Sequence, residues 1–148
     1  MTLDPSRPVL VTGGGGFLGS AVVSLLRAGG RSVRSLARGR HPKLDVLGAE
    51  QIQGDVADAS AVARAVEGCD AVFHVAAKAG IWGPESEYRR SNVEGTRNVI
   101  DACRAHGVRK LIYTSSPSVI FSGKDLEGVD ESIPYPDHYE AAYPRTKA

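Results

Sequence analysis

Short apolar runs alternate with amphipathic helical patterns from one end of the chain to the other. Residues 8–11 (Pro-Val-Leu-Val) read as a buried strand. A glycine turn follows, then Leu18, Val22, Leu25 and Leu26 at the three- and four-residue spacing of a helix. Gly29-Gly30 closes that helix, where a residue free to take positive φ is wanted. Residues 32–37 form a second, more polar strand, followed by a basic loop over 38–43, and residues 50–53 a short third strand. Asp58 stands at the N-cap position of a helix that carries Val62, Ala65 and Val66 and stops at Gly68. Residues 71–77 are nearly all apolar, the pattern of a strand covered on both faces. The longest predicted helix runs over 88–106, with Val93, Val99, Ile100 and Cys103 on one side and Gly107 at its end. Residues 110–114 are a fifth strand and 117–138 a long loop, and a last helix starts between Tyr139 and Tyr143. Alternation of this kind predicts an α/β chain: a doubly wound parallel sheet, strand order 3-2-1-4-5, with helices on both faces.

Composition narrows the function classes. The 148 residues are 42% hydrophobic and 24% charged, which fits a folded globular domain rather than a disordered chain. A formal net charge of +1 supplies no global attraction to nucleic acid, and none is expected as a partner. Cys69 and Cys103 are too few for a disulfide scaffold or a four-ligand zinc site, so no metal is expected. They read as buried thiols of a reducing compartment. Residues 1–8 lack the apolar core of a secretory signal, and no run approaches the ~20 apolar residues of a membrane span. The expected location is the cytoplasm.

The candidate chemistry begins at Thr12-Gly-Gly-Gly-Gly-Phe-Leu-Gly19, where Gly13, Gly16 and Gly19 keep a three-residue spacing between the first strand and the first helix. A tight turn there needs residues without Cβ, and a pyrophosphate approaching the helix N-terminus meets free N–H groups and the positive end of the helix dipole. That context predicts a dinucleotide-binding Rossmann domain over 1–148. The stretch after the second strand, Leu36-Ala-Arg-Gly-Arg40, has no acid before Asp45 to receive a ribose 2′-hydroxyl. Arg38 and Arg40 are suited instead to a 2′-phosphate, so NADP is the expected cofactor and NAD the alternative.

Six motifs in order resemble the extended short-chain dehydrogenase/reductases, the NAD-dependent epimerase/dehydratase superfamily. They are the glycine turn, Gly54-Asp55-Val56, Phe73-His-Val-Ala-Ala77, Asn92-Val-Glu-Gly-Thr96, Tyr113-Thr-Ser-Ser116 and Tyr143-x-x-x-Lys147. The resemblance spans residues 9–147. It implies that Gly13, Gly16, Phe17, Leu18, Gly19 and Arg38 hold the cofactor, with Asp55 and Val56 at the adenine. It places Ala76 and Ala77 along the pyrophosphate and nicotinamide ribose. Ser116, Tyr143 and Lys147 match the family's catalytic residues, with Asn92 beside the active site and His74 in a structural role. The chemistry asks for these types: a tyrosine of pKa about 10 needs a neighbouring cation before it exchanges protons near neutrality. A lysine four residues along a helix supplies that charge and also binds the ribose. Ser116 is placed to hydrogen-bond the substrate oxygen.

Ala76-Ala-Lys-Ala-Gly-Ile-Trp-Gly83 and Thr114-Ser-Ser-Pro-Ser-Val119 are closest to the 3β-hydroxysteroid dehydrogenase-like branch, which includes sterol 4-carboxylate 3-dehydrogenases and 2-alkyl-3-oxoalkanoate reductases. The resemblance implies an oxidoreductase acting on a 3-hydroxy or 3-oxo group of a bulky apolar substrate. Lys78, Ile81 and Trp82 then belong to the pocket wall, although Trp82 equally suits packing the loop onto the domain. A nucleotide-sugar epimerase or dehydratase and a non-catalytic NAD(P)-binding module are the alternatives. The chain stops one residue past Lys147, before the sixth strand and substrate-binding region of the family. The 148-residue product alone is therefore expected to bind cofactor weakly and turn over nothing, and a full-length parent is expected to be a homodimer.

Overall fold

The computed structural model describes residues 4–123 and 125–148. The first three residues of the amino-terminal stretch and Lys124 of the long loop lie outside the described residues. Five parallel strands are ordered 3-2-1-4-5, as the alternation predicts: β1 (Val9–Thr12), β2 (Val33–Ala37), β3 (Glu50–Gln53), β4 (Ala71–His74) and β5 (Lys110–Tyr113). Between them run α1 (Phe17–Ala28), α2 (Pro42–Val46), α3 (Ala59–Val66), α4 (Glu85–Tyr88), α5 (Gly95–Ala105) and, after β5, α6 (Ala142–Lys147).

Strand alternation divides the core in two. Leu10, Leu36 and Val72 point to one face, where Val62 and Val66 of α3 and Val99 of α5 cover them. Val11, Val33 and Phe73 point to the other, beneath Val23 of α1 and Leu44 of α2. Each fully buried aliphatic side chain of this kind contributes roughly 1.5–3 kcal/mol by leaving water. Asp58 caps α3 as expected, accepting the N–H groups of Ser60 at 2.9 Å and Ala61 at 3.3 Å.

Three expectations are corrected. The fourth strand ends at His74 rather than at residue 77, because the N–H groups of Val75 and Ala76 turn onto the Thr12 side chain instead of a strand neighbour. The single helix over 88–106 is interrupted: Arg89–Glu94 forms a π-helical turn between α4 and α5. Its wider winding turns Asn92 inward, to 2% exposure. The basic loop after β2 also contains a helix, α2, started by Pro42 at a position where its missing N–H costs nothing. Cys69 and Cys103 are buried free thiols, and burial raises the pKa of both.

Candidate cofactor and active site

The site lies at the carboxyl ends of the strands. Beyond Thr12 the chain reverses at Gly13, whose φ of +70° suits glycine and where a Cβ would stand 3.0 Å from the Ala76 Cα. The first helix crosses this turn so closely that a Cβ on Gly19 would lie 2.1 Å from the Gly13 carbonyl oxygen. Gly16, at φ −78°, is the N-cap of α1 and offers no side-chain cap. The N–H groups of Phe17 and Leu18 have no backbone acceptor among the described residues. The result is a cradle of bare backbone and free N–H donors at a helix N-terminus, which is the form and polarity a pyrophosphate requires.

Thr12 organises the floor of the cradle. Its Oγ1 accepts the N–H groups of Val75 and Ala76, each at 3.1 Å, so its own proton goes to His74 Nδ1 at 2.8 Å. That assigns the imidazole proton to Nε2, which donates to Thr96 Oγ1 at 3.0 Å. Burial, with a smaller contribution from the Lys147 charge, lowers the His74 pKa to about 4. His74 is thus a neutral link between β1, β4 and α5, in keeping with its expected structural role.

Lys147, at 4% exposure, is buried beside the phenol ring of Tyr113, with Nζ 3.9 Å from the ring centroid. Burial lowers its pKa to about 8. Among the described residues the charge lies against a ring face rather than a carboxylate. A hollow of about 620 Å³ opens between α5 and α6 on this side, lined by Thr96, Ile100, Tyr113 and Lys147 among others. Tyr143 is half-buried one helical turn before Lys147. Ser116 follows β5 by three residues and opens a 3-10 turn over Pro117–Val119, its Oγ 2.8 Å from Ser118 Oγ. No hydrogen bond joins the side chains of Ser116, Tyr143 and Lys147 to one another.

The remaining predicted positions are spread around this centre. Asp55 accepts the Ala57 N–H at 3.0 Å and pairs with Arg90 at 3.0 Å, while Val56 is buried under Gly95. Ala76 lies over Gly13 and Ala77 is exposed. Arg38 is exposed at the end of β2, whereas Arg40 is bound through two nitrogens to Asp45, at 2.8 and 3.2 Å. Asn92 is not a free pocket group: Oδ1 accepts the Lys78 N–H, and Nδ2 donates to the Lys78 carbonyl and Thr146 Oγ1, all at 2.8–3.0 Å. Its amide ties the loop after β4 to α6. Lys78 turns its ammonium to Glu87 at 2.7 Å, which raises its pKa. Ile81 and Trp82 are exposed at 77% and 86%, so the alternative in which Trp82 packs the loop down does not hold. Tyr88 does that instead, its hydroxyl 3.0 Å from the carbonyls of Gly80 and Trp82.

Thr12, Thr96, Tyr113 and Thr146 join the site although no sequence motif singles them out. Each sits inside a motif quoted for its neighbours, and only the three-dimensional hydrogen-bond pattern separates them from bystanders.

A glycine cradle at the helix N-terminus of a parallel 3-2-1-4-5 sheet defines the chain's class as a dinucleotide-binding α/β fold. Residues 10–148 match the 3-beta hydroxysteroid dehydrogenase/isomerase family, and the chain belongs to that family. It is 49% identical over 138 residues to a 2-alkyl-3-oxoalkanoate reductase of Shewanella oneidensis, covering 93% of this chain and 36% of that one. Among solved structures it is similar to a short-chain dehydrogenase/reductase superfamily protein of Agrobacterium tumefaciens with bound NAD. The TM-score is 0.84 and the identity 34%, over 95% of this chain and 42% of the other. A UDP-glucose-4-epimerase of Stenotrophomonas maltophilia with bound NAD and formylated UDP-arabinopyranose superposes with the same TM-score at 26% identity, over 95% and 45%. The chain spans well under half the length of the curated relatives it matches. No helix among the described residues is long and apolar enough to cross a membrane.

Proposed function

We propose that residues 1–148 form the cofactor-binding domain of a nicotinamide-dependent oxidoreductase acting on a 3-oxo or 3-hydroxy group of a bulky apolar substrate. A 2-alkyl-3-oxoalkanoate is favoured over a sterol, because 49% identity to a reductase of that class accompanies the shared motifs. The observation that carries the reading is the cradle itself: Gly13 and Gly19 leave no room for a Cβ, and the N–H groups of Phe17 and Leu18 beside them have no backbone acceptor among the described residues. These donors bind the pyrophosphate, Asp55 and Val56 border the adenine, and Ala76 and Ala77 line the path to the nicotinamide. The bound cofactor supplies or accepts the hydride. Tyr143 gives a proton to the substrate oxygen, Ser116 holds that oxygen by a hydrogen bond, and Lys147 favours the phenolate by its charge and binds the ribose. NADP is favoured over NAD, because Arg38 is exposed where an NAD site would present an acid. The two buried thiols suit a reducing cytoplasm.

The test is carried out on the protein that contains this chain at its relatives' full length. NADPH oxidation is followed spectrophotometrically with a 2-alkyl-3-oxoalkanoate and with a 3-oxosteroid, and the redox-neutral conversion of a UDP-sugar is followed separately by chromatography of its products. Turnover of the first, with Tyr143→Phe lowering kcat by at least ~100-fold while the NADPH Kd stays within about twofold, is expected. Turnover of the UDP-sugar alone would assign the chain to the epimerases. Near-normal turnover in Tyr143→Phe would remove that residue from the chemistry.

A further inference from the structure

The segment after β2 carries a second group aimed at the glycine turn. His41, the residue before α2, has its backbone fixed from β3: Gln51 Oε1 accepts the His41 N–H at 2.8 Å, and Gln51 Nε2 donates to the His41 carbonyl at 3.2 Å. Held this way, the imidazole lies directly over the turn. A Cβ on Gly15 would stand 2.1 Å from His41 Cδ2 and 2.2 Å from Nε2, so ring and bare backbone are in contact. Lys43 reaches the same place, with Nζ 3.5 Å from Ser20 Oγ in the first turn of α1. The acid of this segment, Asp45, is already engaged: Arg40 takes it through two nitrogens and Gln51 Nε2 donates to it at 2.7 Å. Arg40 is thereby engaged, whereas among the described residues neither Arg38, exposed at the end of β2, nor Lys43, beside Ser20, has a carboxylate partner.

We propose that His41 is a specificity-determining residue of the cofactor site, donating from its imidazole to a phosphate on the adenosine 2′ position, with Arg38 and Lys43 completing the seat. The proposal rests on the NADP reading and deepens it. Pyrophosphate belongs on the free N–H groups of Phe17 and Leu18, whereas the end of the second strand borders the adenosine ribose. His41 comes from that second segment and bridges it to Gly15, so its ring stands at the ribose corner rather than over the pyrophosphate. A 2′-phosphate adds nearly two negative charges and three acceptor oxygens, and three basic side chains with no free acid among them match that chemistry. A 2′-hydroxyl accepts from two such donors at most and needs none of the charge.

Cofactor binding to the protein that contains this chain at its relatives' full length tests this directly. NADPH and NADH are titrated calorimetrically against wild type, His41→Ala, His41→Gln and Arg40→Ala at one pH and low salt. Wild type is expected to bind NADPH about tenfold or more tightly than NADH. Both His41 variants are expected to weaken NADPH about five- to tenfold and to leave NADH within about twofold. The retained NADH affinity itself shows that the fold is intact. Arg40→Ala, which leaves Asp45 held by Gln51 Nε2 at 2.7 Å, is expected to keep most of the NADPH preference. A wild-type ratio near one overturns the NADP reading, and with it the role of His41. A large wild-type ratio that both His41 variants keep overturns the role of His41 alone. Equal weakening of both cofactors in both variants also overturns it, since the residue then reads no 2′-phosphate.

Discussion

At the scale of single residues, His74 shows how a side chain that titrates near neutrality in water becomes a fixed structural part. Thr12 holds one ring nitrogen and Thr96 the other, and the surrounding core, aided by the Lys147 charge, brings its pKa to about 4. Between pH 6.5 and about 4 the unfolded chain binds a proton at this histidine and the folded chain does not, so stability is lost as pH falls through that window. The shift corresponds to roughly 3 kcal/mol in all. The urea midpoint of the wild-type chain is therefore expected to fall steeply from pH 7 to pH 4.5. His74→Gln is expected to start about 1–3 kcal/mol lower at pH 7, through its imperfect hydrogen bonds, and to show a shallower slope. Equal slopes would place the acid sensitivity elsewhere. Lys147 obeys the same arithmetic at alkaline pH: burial lowers its pKa to about 8, so stability rises as pH climbs from there toward its ordinary value. The folded chain tolerates this cost at a position whose charge the proposed chemistry uses.

At the scale of elements, the glycine turn and α1 are one object. The three spaced glycines do different work, which their common spacing conceals. Gly19 lets the helix backbone pass the Gly13 carbonyl, where an alanine methyl would meet oxygen at 2.1 Å. At Gly16 the backbone is ordinary, and a methyl group would meet the Gly13 carbonyl oxygen at 3.3 Å. Gly19→Ala is expected to destabilise the chain by roughly 2–4 kcal/mol and to abolish cofactor binding, because helix and turn must separate. Gly16→Ala is expected to cost within about 1 kcal/mol, as a poorer N-cap alone would. Thermal unfolding of the two variants side by side decides between this reading and equal roles for the glycines.

At the scale of the whole molecule, Asn92 is the joint between parts far apart in sequence. The π-helical turn carries it inward, and its amide joins the loop after β4 to α6 through Lys78 and Thr146. This is how a six-residue helix, too short to persist by itself, is kept against the domain. Asn92→Ala leaves the Lys78 N–H and carbonyl without their partner and removes the donor to Thr146 Oγ1, which keeps its own bonds to the Ala142 and Tyr143 carbonyls. The expected cost is about 1–3 kcal/mol. The loss should be local: amide hydrogen exchange should accelerate in residues 76–82 and 141–148 while β1, β2 and β4 keep their protection. Uniform acceleration across the sheet would show instead that Asn92 supports the whole fold.

The order of amino acids alone dictates the alternation of strands and helices, the glycine turn and the capping of α3. Each of these is set by local spacing: apolar runs, helical periodicity and residues with one conformational preference. It also determined the family, because six motifs in order are hard to produce by chance. Tertiary structure alone decided that the fourth strand stops at His74, because the competitor for its N–H groups is Thr12, more than sixty positions away. It alone decided that Asn92 is a clamp, that Arg40 is committed to Asp45, and that His41 stands over Gly15. The physical reason is common to all of these. A side chain's role at a site depends on which partners reach it across the chain, and a pattern of residue types does not record which of several donors and acceptors will meet.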